Sequence, residues 1–276
     1  MAISTSWNVL RGGDWQSVVL GVDFPAATRP AAGFAELAAM IGTDGSFRFL
    51  QTRPPAVPAG QRPCGDAYID PWIEGVEQGR YHVLAVLGHR VGSVYAAAIA
   101  QRISRWQPMP RVILFDPEFA SNRQLGLEFH KEISAISSLL SDAEIESTRK
   151  TATEISESVS FEVADAAAEA ARVYREVSSI AYERVGLGGA YEDKLMVPFD
   201  SYISWLSAAD QIDPGPVWKR STAIVSSDYS GRPATRPGGE DTSGLIGRSV
   251  PFDVAPADLL RSDSVAHAVC DLLAAR

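Results

Sequence analysis

The sequence predicts an α/β fold: a mostly parallel sheet flanked by helices, with a helical lid inserted late in the chain. Three observations lead there. Near-continuous apolar runs such as Tyr81 to Leu87 and Arg111 to Phe115 have the character of strands buried on both faces of a parallel sheet. Helical patterns, with apolar residues three and four apart, alternate with these runs in the order of repeated β-α units. From about Glu118 to Asp210 the alternation stops and charged amphipathic segments take over.

Taken in order, Ser17 to Val22 is a short apolar strand that feeds a helix over Gly33 to Ile41. Phe47 to Leu50 is the next strand, ended by Pro54 and Pro55, which cannot continue a ladder. A loop runs to about Cys64, and Asp66 to Gln78 reads as a helix despite Pro71. The strand Tyr81 to Leu87 leads into a helix over Val91 to Trp106. Arg111 to Phe115 is another buried strand, with Asp116 at its carboxyl end, where open α/β sheets place functional groups. Within the insertion, Asp142 to Glu157 and Phe161 to Val185 read as helices, and no central strand is visible. The sheet resumes at Ala223 to Ser226 and, after a Gly/Pro-rich loop from Ser230 to Gly247, at Ser249 to Val254. Asp263 to Ala274 closes the chain as a helix. Residues 1–276 thus read as one domain with a lid over about 118–210.

Composition narrows the function classes. A net charge of −9 and a pI near 5.0 argue against a nucleic-acid partner or a polybasic membrane surface. Cys64 and Cys270 have no metal-ligand spacing, so neither a zinc site nor a disulfide framework is expected, and no cofactor is expected. No charged n-region precedes an apolar stretch, and no run of 18 apolar residues occurs, which leads to the expectation of a cytoplasmic protein. With an initial Met and no attached carrier domain, a freestanding protein is the expectation.

The most informative segment is Tyr81-His82-Val83-Leu84-Ala85-Val86-Leu87-Gly88-His89-Arg90-Val91-Gly92-Ser93. It resembles the strand-elbow-helix of α/β-hydrolases, in which G-x-S-x-G exposes a serine above the sheet on a sharp turn. Gly88 and Gly92 are in place, but arginine stands where the serine belongs. A guanidinium stays charged and only donates hydrogen bonds, so acyl-enzyme chemistry at position 90 is excluded. Over nearly its whole length the chain resembles the thioesterase domains of polyketide and nonribosomal peptide assembly lines, with Val112 to Asp116 similar to the strand that bears their triad acid. The family's histidine belongs to a Gly-Asp-His loop before the last helix. Here that stretch reads Val254-Ala255-Pro256-Ala257-Asp258-Leu259-Leu260-Arg261, without histidine.

The resemblance implies candidate catalytic residues Arg90, Asp116 and Asp258, and substrate-binding residues His89 and Val91 beside the elbow. Phe24 and Ala26 follow the first strand, where the family builds an oxyanion hole from backbone N–H groups; Pro25 lacks that donor and Ala26 has it. Plainer roles stand beside these. Arg90 either caps the elbow by bonding nearby carbonyls or Asp116, or binds an anionic group. Asp116 is either a relic held by Arg90 or a working acid-base group, and Asp258 is either a functional acid or turn chemistry. His89 as an elbow residue is expected to pack, Ser93 to face helix-sheet packing, and His82, His130 and His267 to lie in a strand and in helices. Two functions follow. One is a thioesterase-fold enzyme, without the serine and the loop histidine, that promotes cyclisation, elimination or isomerisation on an acyl or peptidyl intermediate, released or tethered to a phosphopantetheinyl carrier protein. The other is a non-catalytic pseudo-thioesterase that binds such an intermediate or the carrier. Hydrolysis through Ser93 or an activated water is disfavoured, since no histidine is placed to assist.

Overall fold

Seven strands make one sheet: Trp7–Arg11 (β1), Ser17–Val22 (β2), Arg48–Thr52 (β3), His82–His89 (β4), Arg111–Phe115 (β5), Thr222–Val225 (β6) and Arg248–Pro251 (β7). Their order is β1-β3-β2-β4-β5-β6-β7, with β1 antiparallel to β3 and every other pairing parallel. These relations come from a computed structural model, which describes residues 5–14, 16–24, 32–42, 44–55, 57, 61–158, 162–187, 190–229 and 244–275. The side chains of residues 190–193 are outside the description.

The apolar runs become the central strands. Val18, Val19 and Leu20 of β2 and Val83, Ala85, Val86 and Leu87 of β4 are buried, as a strand covered on both faces requires. On one face lie the helices Gly65–Gly79 (α2) and Gly92–Ile103 (α3), packed through Trp72, Tyr95 and Ile99. On the other, the helix Phe34–Met40 (α1) and a C-terminal helix bury Phe34, Phe49, Phe115 and Val269 together. Strand β1 was not expected from the sequence. It is an edge strand, buried only at Trp7, whose Nε1 donates to the Trp72 carbonyl at 3.0 Å.

The insertion between β5 and β6 is helical, as expected. Asn122–Ala135 (α4), Asp142–Glu157 (α5), Val163–Arg184 (α6) and Ala190–Asp210 (α7) form the lid, followed by the short helix Gly215–Trp218 (α8). α4 and α5 each begin with a capping box: Ser121 with Gln124, and Ser141 with Glu144. The lid is moored to the body by aromatic packing. Tyr95 of α3 stacks on Trp205 of α7 at 5.2 Å and donates its hydroxyl to the Trp205 carbonyl at 2.7 Å. After β7, a 3-10 turn over Pro256–Arg261 leads into Asp263–Ala274 (α9), with the boundaries of α9 where the sequence put them.

The β4-α3 elbow is set by two glycines. A Cβ on Gly88 would lie 2.5 Å from Ser93 Cα, and one on Gly92 would lie 2.1 Å from the Val22 carbonyl oxygen. α3 can therefore start so close to β2 only because both positions lack a side chain. Between them Arg90 takes φ 51°, the left-handed conformation that the sharp turn imposes on a residue with a Cβ.

Gly92→Ala is expected to lose about 3 kcal/mol of stability or fail to fold, because backbone rather than a flexible side chain blocks the new methyl. Gly12→Ala, where a Cβ meets nothing within 4 Å, should stay within about 0.5 kcal/mol of the parent. Urea denaturation of the two variants beside the parent checks this, and equal stabilities would contradict the close-approach account.

Candidate functional site

The carboxyl ends of three adjacent parallel strands, β2, β4 and β5, carry Asp23, His89 and Asp116 side by side. All three are buried, at 8%, 6% and 5% exposure. His89 Nδ1 lies 3.1 Å from Asp23 Oδ2, and an ionised carboxylate can only accept, so the ring carries its proton on Nδ1. Asp23 is held from two more directions. Its Oδ1 accepts the Phe24 N–H at 2.8 Å, and its carbonyl accepts the Thr52 hydroxyl at 3.2 Å. Among the described residues, His89 Nε2 has no hydrogen-bond partner.

Arg90 sits above this row, its side chain 48% exposed. The expected pairing with Asp116 is not what the structure gives. Arg90 instead donates to Glu118, Nε to Oε2 at 3.3 Å and Nη2 to Oε1 at 3.1 Å. The reason lies in the backbone. Asp116 takes φ 42° and turns its carboxyl inward, where Oδ1 accepts the Ser226 N–H at 2.8 Å. The chain leaving β5 then passes the elbow, with the Glu118 N–H donating to the Arg90 carbonyl at 3.3 Å, which brings the Glu118 carboxylate alongside the guanidinium. Burial pushes the Asp116 carboxyl above its ordinary range, while the Ser226 hydrogen bonds and His89 pull it back down and Glu118 adds to the rise.

A cleft of about 150 Å³ opens between the elbow and the lid. Asp23, Arg90, Val91 and Glu118 form its floor. Its roof comes from Gln124, Leu127 and Glu128 of α4 and from Tyr202 and Trp205 of α7. That volume holds a group of about benzene size, so it receives the reacting end of a ligand rather than all of it. Among the described residues, neither the Val91 N–H nor the Trp205 Nε1 has an acceptor. The guanidinium and the Val91 N–H are therefore the elbow's donors beside the cleft, whereas the Trp205 Nε1 is buried.

The remaining expected residues fall as follows. Phe24 packs its ring on Tyr202 and Trp205, at 5.2 and 5.5 Å, and its N–H is taken by Asp23, so it contributes to the wall rather than to an oxyanion hole. Ala26 lies outside the described residues. Asp258 is exposed in the 3-10 turn and pairs with Arg261 at 3.4 Å within that turn, away from the residues that form the cleft. Ser93 is fully buried beneath Trp218, whose Nε1 donates to the Ser93 carbonyl at 3.1 Å, so it packs as expected. His82, His130 and His267 are exposed, in β4, α4 and α9. Sequence reasoning missed Asp23 and Glu118. The one local signal was an acid directly after an apolar strand, which Asp23 shares with Asp116.

No described helix is long and apolar enough to cross a membrane. Among the described residues, no group of three or more histidine, cysteine or acidic side chains is placed to hold a metal ion. Cys64 and Cys270 are exposed and free.

No protein-family model matches the chain, and no curated protein matches it in sequence. Solved structures do match in shape. A four-domain nonribosomal peptide synthetase bound to AMP and glycine superposes with a TM-score of 0.57 at 12% identity, covering 98% of this chain and 20% of that one. The chain thus spans about a fifth of that protein's length. An α/β-hydrolase family protein from Desulfitobacterium hafniense gives a TM-score of 0.52 at 12% identity, over 97% of this chain and 99% of the other. The chain has the α/β-hydrolase fold. A thermophilic esterase from Thermogutta terrifontis shares the same fold, with a TM-score of 0.51 at 12% identity over 97% and 92% of the two chains. Within this fold Arg90 stands at the sharp turn from β4 into α3, and Asp116 directly follows β5.

The buried Asp116 carboxyl gives a pH test with a definite sign. A folded-state pKa above the unfolded 3.8 means that ionising Asp116 costs stability as the pH rises past that value. Asp116→Asn keeps an Oδ1 that accepts from Ser226 but carries no charge. The variant should be the more stable protein at pH 7, with the advantage vanishing as the pH falls below the unfolded value of 3.8. Urea midpoints between pH 3.5 and 7.5 measure this, and an advantage that grows as the pH falls would contradict the assignment.

Proposed function

We propose that this protein is a thioesterase-like member of a polyketide or nonribosomal peptide pathway. It promotes a non-hydrolytic step, such as cyclisation, elimination or isomerisation, on an acyl or peptidyl intermediate that is released or carried on a phosphopantetheinyl carrier protein. The observation that carries this reading is Arg90: a fixed cation in the left-handed elbow, facing a cleft, where the fold otherwise presents a nucleophile. The thioesterase resemblance of the segment around the elbow and the fold shared with a nonribosomal peptide synthetase support the substrate class.

The chemistry follows from charge. A carbonyl or thioester oxygen in the cleft gains negative character when an enolate or a tetrahedral centre forms. A guanidinium and a free backbone N–H placed beside it stabilise that charge more than they stabilise the ground state. Arg90 is half-exposed, so its ion pair with Glu118 is worth at most about 1 kcal/mol, and a ligand oxygen can replace Glu118 on one edge of the fork. Asp116, buried and raised, is a second candidate acid or base at the end of β5, deeper than the Glu118 that contacts Arg90. Asp258, exposed and paired in its own turn, is not part of this step.

A second reading, binding without chemistry, is favoured by one contact: the fork of Arg90 is already closed on Glu118. The two readings separate experimentally. Acyl N-acetylcysteamine thioesters should be hydrolysed no faster than in buffer, and a fluorophosphonate should leave position 90 unlabelled. Arg90→Ala should weaken thioester binding by about tenfold or more, the worth of a charge-assisted hydrogen bond, while remaining folded. Arg90→Lys should recover only part, because lysine lacks the planar fork. Arg90→Ser should not hydrolyse, since the loop before the last helix holds no histidine. Tight binding with no conversion in a reconstituted pathway selects the binding reading, and hydrolysis abolished by Ser93→Ala would overturn both.

A further inference from the structure

The buried pair beneath the elbow has a role that the reading above leaves unassigned. Asp23 and His89 are 66 residues apart, yet they meet at 3.1 Å at the carboxyl ends of neighbouring strands. Asp23 is also a wall of the cleft, on the same floor as Arg90 and Val91. A pair that served only packing would be cheaper as two apolar side chains, since burying ionisable groups costs more than a matched pair commonly returns. Here the carboxylate is fixed by two donors, the His89 ring and the Phe24 N–H, and the Asp23 backbone carbonyl by the Thr52 hydroxyl. The imidazole is fixed in turn, with the edge of its ring toward Phe34 and its Nε2 without a partner among the described residues.

We propose that Asp23 is the proton-transfer group of this cleft, the catalytic carboxylate that meets the substrate, with His89 the positioning residue behind it whose Nδ1–H holds that carboxylate in line. The inference rests on the reading that the cleft takes an acyl or peptidyl chain. The Nδ1–H already donates to Asp23 Oδ2, so the proton taken from the substrate stays on the carboxylate, which the ring holds in place. The step balances without a cofactor. The C–H bond next to the thioester carbonyl breaks, its electron pair moves onto the carbonyl oxygen beside Arg90, and the proton passes to Asp23. Return of that proton to the same or a neighbouring carbon completes an exchange or an isomerisation. The pair thus stands in for the histidine that the loop before α9 lacks, supplied from the opposite side of the elbow.

Deuterium exchange at the α-carbon of phenylacetyl N-acetylcysteamine thioester in D2O, followed by NMR, reads this step directly. Ligand-observed NMR of the same samples reads binding. The parent should exchange the α-proton faster than buffer. Asp23→Asn should lose exchange at least a hundredfold while still binding the thioester. His89→Asn keeps an amide donor where Nδ1 stood and so preserves the hydrogen bond to Asp23, and it should retain most of the exchange. His89→Leu removes the donor and should lose exchange about tenfold or more, and recovery in His89→Asn is what mere packing of the ring does not allow. Asp23→Glu serves where Asp23→Asn does not fold, and should retain measurable exchange. Exchange unaffected by Asp23→Asn and His89→Leu overturns the pair while leaving the cleft reading intact. Binding by the parent without exchange also overturns the pair. A parent that neither binds nor exchanges overturns the cleft reading itself, and the pair with it.

Discussion

The site depends on one close approach, that of the start of α3 to the end of β2. Gly92 lies so near the Val22 carbonyl that a methyl group there would overlap it, and Gly88 lies as near Ser93. This contact turns the chain sharply, forces Arg90 into the left-handed region and lifts its side chain out of the sheet. It also places Asp23, the residue after Val22, against the elbow, so that β2 and β4 present their last side chains to one another. With a side chain at either glycine, α3 would have to move away from β2, and the row formed by Asp23, His89 and Asp116 would open.

The charges above that turn are arranged by depth. Asp116 and Asp23 are deep and each is held by backbone N–H groups, Ser226 for one and Phe24 for the other. Fixed donors of this kind do not reorganise when charge moves in the cleft, which is what makes them useful in catalysis. Arg90 and Glu118 are shallow, at 48% and 21% side-chain exposure, and their pair is correspondingly weak. A weak pair at the mouth above a rigid row below suits a site whose cation must exchange one partner for another. The lid completes it from above. Trp205 stacks on Tyr95, and Phe24 meets Tyr202 edge-on and Trp205 at a tilt, so the aromatic roof is held from two sides.

Much of the fold was legible because burial leaves a periodic trace. β2, β4 and β5 appear as apolar runs, and α5 and α9 begin and end where their patterns do. α4 carried a readable start in Ser121 and Gln124, although its helix was only part of a general expectation for the insertion. β1 was not legible: a five-residue edge strand with only Trp7 buried has too little apolar alternation to stand out. The site was legible where it was local. Gly88, Arg90 and Gly92 fall within five residues, and their geometry followed from their spacing. Asp23 with His89 was not, because strand order rather than sequence makes them neighbours. The partner of Arg90 was misplaced by two residues, since the positive φ at Asp116 turns that carboxyl inward and delivers Glu118 instead. Asp258 was drawn in by the family's loop pattern, whereas a 3-10 turn carries it to the surface.

The central claim is that the elbow arginine and the carboxylate beside it act on one carbonyl-bearing group. The most direct measurement is a crystal structure with a non-hydrolysable amide analogue of an acyl-pantetheine. The account predicts the analogue's carbonyl oxygen within hydrogen-bonding distance of the Arg90 guanidinium, with the adjacent carbon facing Asp23 and Glu118 displaced from one edge of the fork. An analogue bound elsewhere on the protein, with Arg90 still closed on Glu118, would contradict it.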